Sequence, residues 1–173
     1  MKLSNWRLLC RQNTKYTKIA FEKKIESAEL LKLDTLHTGV KIFLEKMYRR
    51  TPISLISLRA NRKNLDEQLD YLQLTKYFAS VLNGQSTEEK PEKRAETKAK
   101  LIQNYYKLFP KDSIYIGDTI TDILAARLLG FSSFAIIWGH TSQERLMKFD
   151  PDQILPHISS ALELLIPGGR WQL

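Results

Sequence analysis

Short apolar runs alternate with amphipathic stretches along the chain. Four runs are rich in β-branched or aromatic residues and read as strands: residues 53–57, 78–82, 113–116 and 133–138. Between them the apolar residues recur at helical spacing. Val40, Phe43, Leu44 and Met47 share one face, as do Leu65, Leu69 and Leu72 behind Asn64 as a cap. Leu101, Ile102, Tyr105 and Leu108 define a third helix over residues 95–108, and Ile120, Ile123, Leu124 and Leu128 a fourth. Short helices are predicted near residues 142–148 and 158–166. The breaks fall at Pro52, Asn83-Gly84, Pro110, Gly130 and Gly139, with a polar loop over residues 85–94. Residues 1–33 read as helical, with Trp6, Leu9, Ile19, Phe21 and Ile25 among their apolar positions and Ser27 capping a further short helix. Residues 167–173 read as a tail, loose except for Trp171. Strand and helix alternate from Gly39 onward, which predicts parallel βαβ units with right-handed crossovers.

Residues 113–130 concentrate the chemistry. A strand runs into Gly117-Asp118-Thr119, and a helix begins at Ile120 and closes at Gly130. In an open α/β sheet such a turn lies at the carboxyl end of a strand, where ligands bind. Asp118 and Asp122 are about one helical turn apart. Two carboxylates placed there suit a hard cation such as Mg²⁺, and the free N–H groups of the helix start suit a phosphate. Helix capping would use the same two aspartates, and spacing alone leaves the two readings even.

Size and composition narrow the class. The chain has 173 residues, 43% hydrophobic and 27% charged, which fits a globular protein with one sizeable core. No apolar run is long enough to span a bilayer, and the first ten residues lack the apolar stretch of a secretory signal, so a cytoplasmic location is expected. The formal charge is +8. The basic residues are scattered and mixed with glutamates, most densely over residues 88–100, which reads as a solvated face; a nucleic-acid partner is not expected. A single cysteine, Cys10, excludes an internal disulfide and reads as a packing residue. His37, His140 and His157 show no metal-ligand spacing.

Gly117-Asp118-Thr119-x-x-Asp122-Ile, followed by Ala-Ala-Arg and Leu-Gly, resembles the fourth motif of the haloacid dehalogenase-like (HAD) hydrolase superfamily. The resemblance runs from about residue 35 to residue 165 and has a phosphoglycolate-phosphatase-like flavour. It implies a Rossmannoid three-layer α/β sandwich with a parallel sheet, and Mg²⁺ held by Asp118 with Asp122 in support. Ser57, at the end of an apolar strand, is similar to the second motif, which holds the phosphoryl group. Lys98, ahead of Leu101-Ile102, is similar to the third motif's charge-neutralising lysine; Lys90 and Lys100 compete for that place. Residues 136–139 resemble the family's last core strand, which ends in Trp-Gly.

The first motif of the family is an apolar strand ending in Asp-x-Asp, whose first aspartate attacks phosphorus. No apolar strand of this sequence ends that way, and Asp34, placed before a helix, does not replace it. In the family that strand lies between the strands that here end at Ser57 and Asp118. The resemblance therefore implies a HAD core over residues 35–166 whose N-terminal strand is missing, a helical cap remnant over residues 1–34 and a tail over residues 167–173. Three explanations follow, in this order: Met1 is internal to a longer protein, the chain is a degenerate family member, or a partner or refolded segment supplies the strand. The expected function is Mg²⁺-dependent hydrolysis of a small phosphorylated metabolite, a phosphomonoester, by the intact form, with negligible turnover by these 173 residues. The alternative is a non-catalytic binding or interaction protein derived from the family.

Overall fold

The computed structural model describes residues 31–105, 109–139 and 141–166. The expectations for residues 1–30, Leu108, His140 and the tail lie outside them. Six helices and five strands follow in order among the described residues: α1 (Val40–Met47), β1 (Ser54–Ser57), α2 (Arg62–Tyr71), β2 (Ser80–Asn83), α3 (Pro91–Gln103), β3 (Ile114–Gly117), α4 (Ile120–Leu129), β4 (Ser132–Ile136), α5 (Gln143–Met147), β5 (Gln153–Leu155) and α6 (Ser160–Leu165). No helix among them is long and apolar enough to cross a membrane.

The described residues fall into two compact units. One joins residues 31–36 to residues 59–76; the other joins residues 37–58 to residues 77–166. The first unit holds α2, capped by Asn61 rather than Asn64: the Asn64 N–H donates to Asn61 Oδ1 at 3.1 Å. The cap falls there because a side chain must precede the first helical turn to meet its free N–H groups. Gln68, buried on α2, donates from Nε2 to Asp34 Oδ2 at 2.5 Å and accepts from Arg59 Nη1. Both ends of its amide are thus satisfied, as burial requires.

The second unit carries all five strands. β1 pairs with β2 in parallel, Ser54 opposite Ser80 and Ser57 opposite Asn83. β3, β4 and β5 form a second parallel sheet, with Gly117 opposite Ala135 and Ala135 opposite Ile154. Among the described residues β1 and β3 each have one strand partner, so each is an edge. A core cluster nevertheless gathers Ile56 of β1, Leu82 of β2 and Tyr115 of β3 around Ala95 and Ile102 of α3 and Ala125 and Ala126 of α4. The small side chains let α3 and α4 approach closely, since interaxial distance follows the residues at the contact. A second cluster packs Ile123 of α4 and Ala135 of β4 on Leu146 of α5. With both faces covered, Phe134, Ala135 and Ile136 are all buried, as expected of a strand inside a parallel sheet.

Several expectations shift. α3 starts at Pro91 rather than residue 95, because proline suits the first helical turn. Tyr105 and Leu128, expected inside, are 48% and 53% exposed. In α4 the alanines face the core instead, so its inward stripe is set by fit to α3 rather than by side-chain size. Strand β4 stops at Ile136, leaving Trp138 and Gly139 in the following turn. The three-residue strand β5 has no counterpart among the predicted strands.

Asp152 ties β4 to the turn before β5. Its Oδ2 accepts from the Ser133 N–H at 2.7 Å and from the Ser133 hydroxyl at 2.8 Å. These bonds hold its pKa below the usual carboxylate value. A lowered folded-state pKa stabilises the fold above the unfolded value, and that contribution is lost as pH falls through the folded value. Asp152→Asn is therefore expected to lower the urea midpoint at pH 7, and the gap from the parent protein should close on acidification below the ordinary aspartate range.

Candidate functional site

Strand β3 delivers the acidic turn. Its last residue is Gly117, and Asp118 follows at the carboxyl end, half-buried. Thr119 is the N-cap of α4, with a reciprocal capping box. The Asp122 N–H donates to Thr119 Oγ1 at 3.3 Å, while Asp122 Oδ2 accepts from the Thr119 N–H at 3.1 Å and from its hydroxyl at 2.6 Å. The other oxygen, Oδ1, accepts from Lys98 Nζ of α3 in a buried ion pair. Of the two readings that spacing left open, Asp122 shows the cap of α4, and its other oxygen pairs with a lysine of this chain.

This pair separates the three candidate lysines. Lys98 is 13% exposed at its side chain and meets Asp122, whereas Lys90 and Lys100 are exposed. Helix phase makes the choice. Lys98 stands three residues after Ala95 and four before Ile102, both facing the core, so its stem must run along the same face. Taking both charges out of water is costly, and the pair is tolerated because Thr119 satisfies the remaining carboxylate oxygen.

Two glycines are fixed by close approach. A Cβ at Gly117 would collide with the Cβ and Cγ of Asp122, and one at Gly139 with Oδ2 of Asp118. The Trp-Gly turn after β4 thus brings bare backbone against the Asp118 carboxylate. Beside it, the exposed ring of His37 stacks on Trp138, with centroids 4.5 Å apart and planes 19° from parallel. His37 carried no sequence signal beyond a loop histidine, because its stacking partner is about a hundred residues away.

Of the four predicted site residues, Lys98 and Asp122 meet directly. Ser57 and Asp118 are placed by their strands, each at a carboxyl end. The Ser57 carbonyl accepts from the Gly84 N–H at 3.0 Å and from Asn83 Nδ2 at 3.3 Å. Among the described residues no three His, Cys, Asp or Glu side chains cluster tightly enough to hold a metal ion. The sequence does contain one Asp-x-Asp, Asp150-Pro151-Asp152, which follows a helix instead of a strand. Asp152 is bound to Ser133, near the amino end of β4, whereas Asp118 lies at the carboxyl end of β3. That aspartate pair therefore belongs to the structural end of the sheet.

The geometry sets two expected outcomes. Gly117→Ala forces Asp122 out of place and should cost about 1–3 kcal/mol in chemical denaturation, the range for overpacking a close contact. Lys98→Met leaves a buried carboxylate without its cation and should cost about 2–3 kcal/mol, whereas Lys100→Ala should stay within about 0.5 kcal/mol. Equal effects at the two lysines, in parallel urea melts, would contradict the site.

The comparisons with known proteins agree with this architecture. A phosphoglycolate phosphatase of Vibrio parahaemolyticus is 27% identical over 134 residues, which are 77% of this chain and 58% of the relative. One from Salmonella typhimurium is 27% identical over 97 residues, covering 56% of this chain and 38% of the relative. The chain thus spans less than three fifths of the length of these curated relatives. Among solved structures, a haloacid dehalogenase-like hydrolase from Streptococcus pneumoniae superposes with a TM-score of 0.72 at 22% identity, covering 95% of this chain and 77% of that one. A HAD-superfamily hydrolase from Geobacter sulfurreducens gives 0.59 at 21% identity, covering 80% and 60%. These likenesses show the shared α/β Rossmannoid fold. The sequence profile of the haloacid dehalogenase-like hydrolases matches residues 5–136, reaching into the stretch read as a cap remnant, and the chain belongs to that family.

Proposed function

We propose that this chain is the greater part of a phosphatase that hydrolyses a small phosphomonoester with Mg²⁺. The observation that carries the reading is the buried Lys98–Asp122 pair next to Asp118, at the carboxyl end of β3. A buried ammonium beside the start of a helix is a place for an anion, and Asp118, half-buried at the carboxyl end of β3, is the carboxylate that would face a cation. Asp118 would hold Mg²⁺, which supplies charge neutralisation at the phosphoryl oxygens when bound. Asp122 supports the site by orienting Lys98. Lys98 balances the charge of the phosphoryl group, and the Ser57 hydroxyl donates to one of its oxygens. The names of the curated relatives favour phosphoglycolate as the substrate.

In the haloacid dehalogenase-like hydrolases the attack on phosphorus is made by the first aspartate of an Asp-x-Asp at a strand end, a covalent route. The one strand-end aspartate among the described residues is Asp118, already assigned to the metal. The nucleophile therefore comes from an Asp-x-Asp strand that these 173 residues do not contain, seated between β1 and β3. A second reading, a family member that binds without turnover, is favoured by the same missing pair beside an intact acidic turn.

The intact mass of the protein from its own source separates the two. A mass above that of 173 residues, with an added Asp-x-Asp and a Mg²⁺-dependent phosphatase rate abolished by Asp118→Asn, supports the enzyme. A mass equal to 173 residues, with phosphate binding and no turnover, supports the binding protein. Appreciable Mg²⁺-dependent turnover by the 173-residue chain, lost in Asp118→Asn, would overturn the assignment of the nucleophile.

A further inference from the structure

The turn after β4 joins an imidazole to the acidic turn. Gly139 lies so close to Asp118 that a Cβ there would strike Oδ2 of that carboxylate. Trp138, the residue before it, carries the His37 ring stacked on its indole. Contact by contact, the path runs from the Asp118 carboxylate to Gly139, to Trp138 and to the imidazole. All four residues belong to the same compact unit. β3 and β4 are parallel, with Gly117 opposite Ala135, so Asp118 and Trp138 both leave the sheet at its carboxyl end. His37, in the loop before α1, is therefore held at the end of the sheet where the acidic turn lies.

Stacking decides which part of the imidazole is available. With the planes 19° from parallel, the indole covers one face of the ring. Both ring nitrogens lie on the edge, which the stack leaves open, and the residue is exposed. An imidazole carries at least one N–H donor in either charge state. Trp138 also restricts the ring, so less rotamer entropy is lost when that donor meets a ligand. A purely structural stack needs no donor, and any flat ring would serve it. The acidic turn sets what the donor can read. A second anionic group brought close to Asp118 meets a carboxylate and needs a donor of its own. Lys98 is engaged by Asp122, whereas the edge of His37 faces solvent.

We propose that His37 is a specificity-determining residue: an N–H on the edge of its ring donates to the carboxylate of a short phosphorylated acid whose phosphoryl group sits at the acidic turn, and Trp138 positions that ring. It rests on the phosphatase reading given above and narrows it from phosphomonoesters at large to those that carry a carboxylate. The only bond formed is this hydrogen bond, and the imidazole keeps its proton.

The test is a calorimetric titration of the 173-residue chain in the presence of Mg²⁺, with phosphoglycolate and with ethyl phosphate, an ester of matching length that has no carboxylate. The parent chain should bind phosphoglycolate about tenfold more tightly, the worth of one hydrogen bond to a charged group. His37→Phe keeps a flat ring for Trp138 and loses the donor, so the ratio of the two affinities should fall to about one. His37 is exposed, so the substitution should change the melting temperature little. Equal binding of both esters by the parent chain, or a tenfold ratio that survives in His37→Phe, overturns the role of His37 and leaves the phosphatase reading in place. Binding of neither ester by the parent chain removes the phosphate site at the acidic turn, and the role of His37 with it.

Discussion

The ion pair between Lys98 and Asp122 is the interaction on which the rest of the site depends. It joins the middle of α3 to the first turn of α4 across a nearly dry contact. Its two charges can be buried only because the second carboxylate oxygen is answered as well: Thr119 donates to it and is the cap of α4. The packing follows from the same need. Ala95, Ala99, Ala125 and Ala126 are all buried, and their small size lets the helices come close enough for a lysine stem to reach an aspartate on the neighbouring element. Gly117 is the third requirement, since Asp122 folds back over its Cα.

The two ends of the β3–β4–β5 sheet use the same side chain differently. At the amino end of β4, Asp152 is spent on Ser133 and serves the fold. At the carboxyl end of β3, Asp122 holds a lysine and Asp118 lies under bare glycine backbone. Parallel strands impose this asymmetry. All their carboxyl ends point one way, toward the helix starts that favour anions, so polar chemistry gathers there and the opposite end is left to turns.

Much of this was legible in the chain. The strands ending at Ser57 and near Asp118 were readable because a parallel strand covered on both faces is a continuous apolar run, and α4 because its apolar spacing and closing Gly130 are local signals. β5 was not, since three residues are too few to show a period. The cap at Asn61 was missed because Asn61 and Asn64 carry the same chemistry and only backbone geometry separates them. The outward turn of Leu128 was missed because hydropathy ranks leucine above alanine, while the narrow space against α3 admits only alanine.

By itself the sequence determined the order of elements, the parallel βαβ logic and the acidic turn, because each is written in neighbouring residues. It also supplied Ser57, Lys98, Asp118 and Asp122 as candidates. Tertiary structure alone paired Lys98 with Asp122 and left Lys90 and Lys100 exposed, since that depends on which helix face is buried against α4. It alone set His37 on Trp138 and Gly139 against Asp118. Those relations join residues far apart in the chain or on different elements, where local pattern carries no information and only packing does.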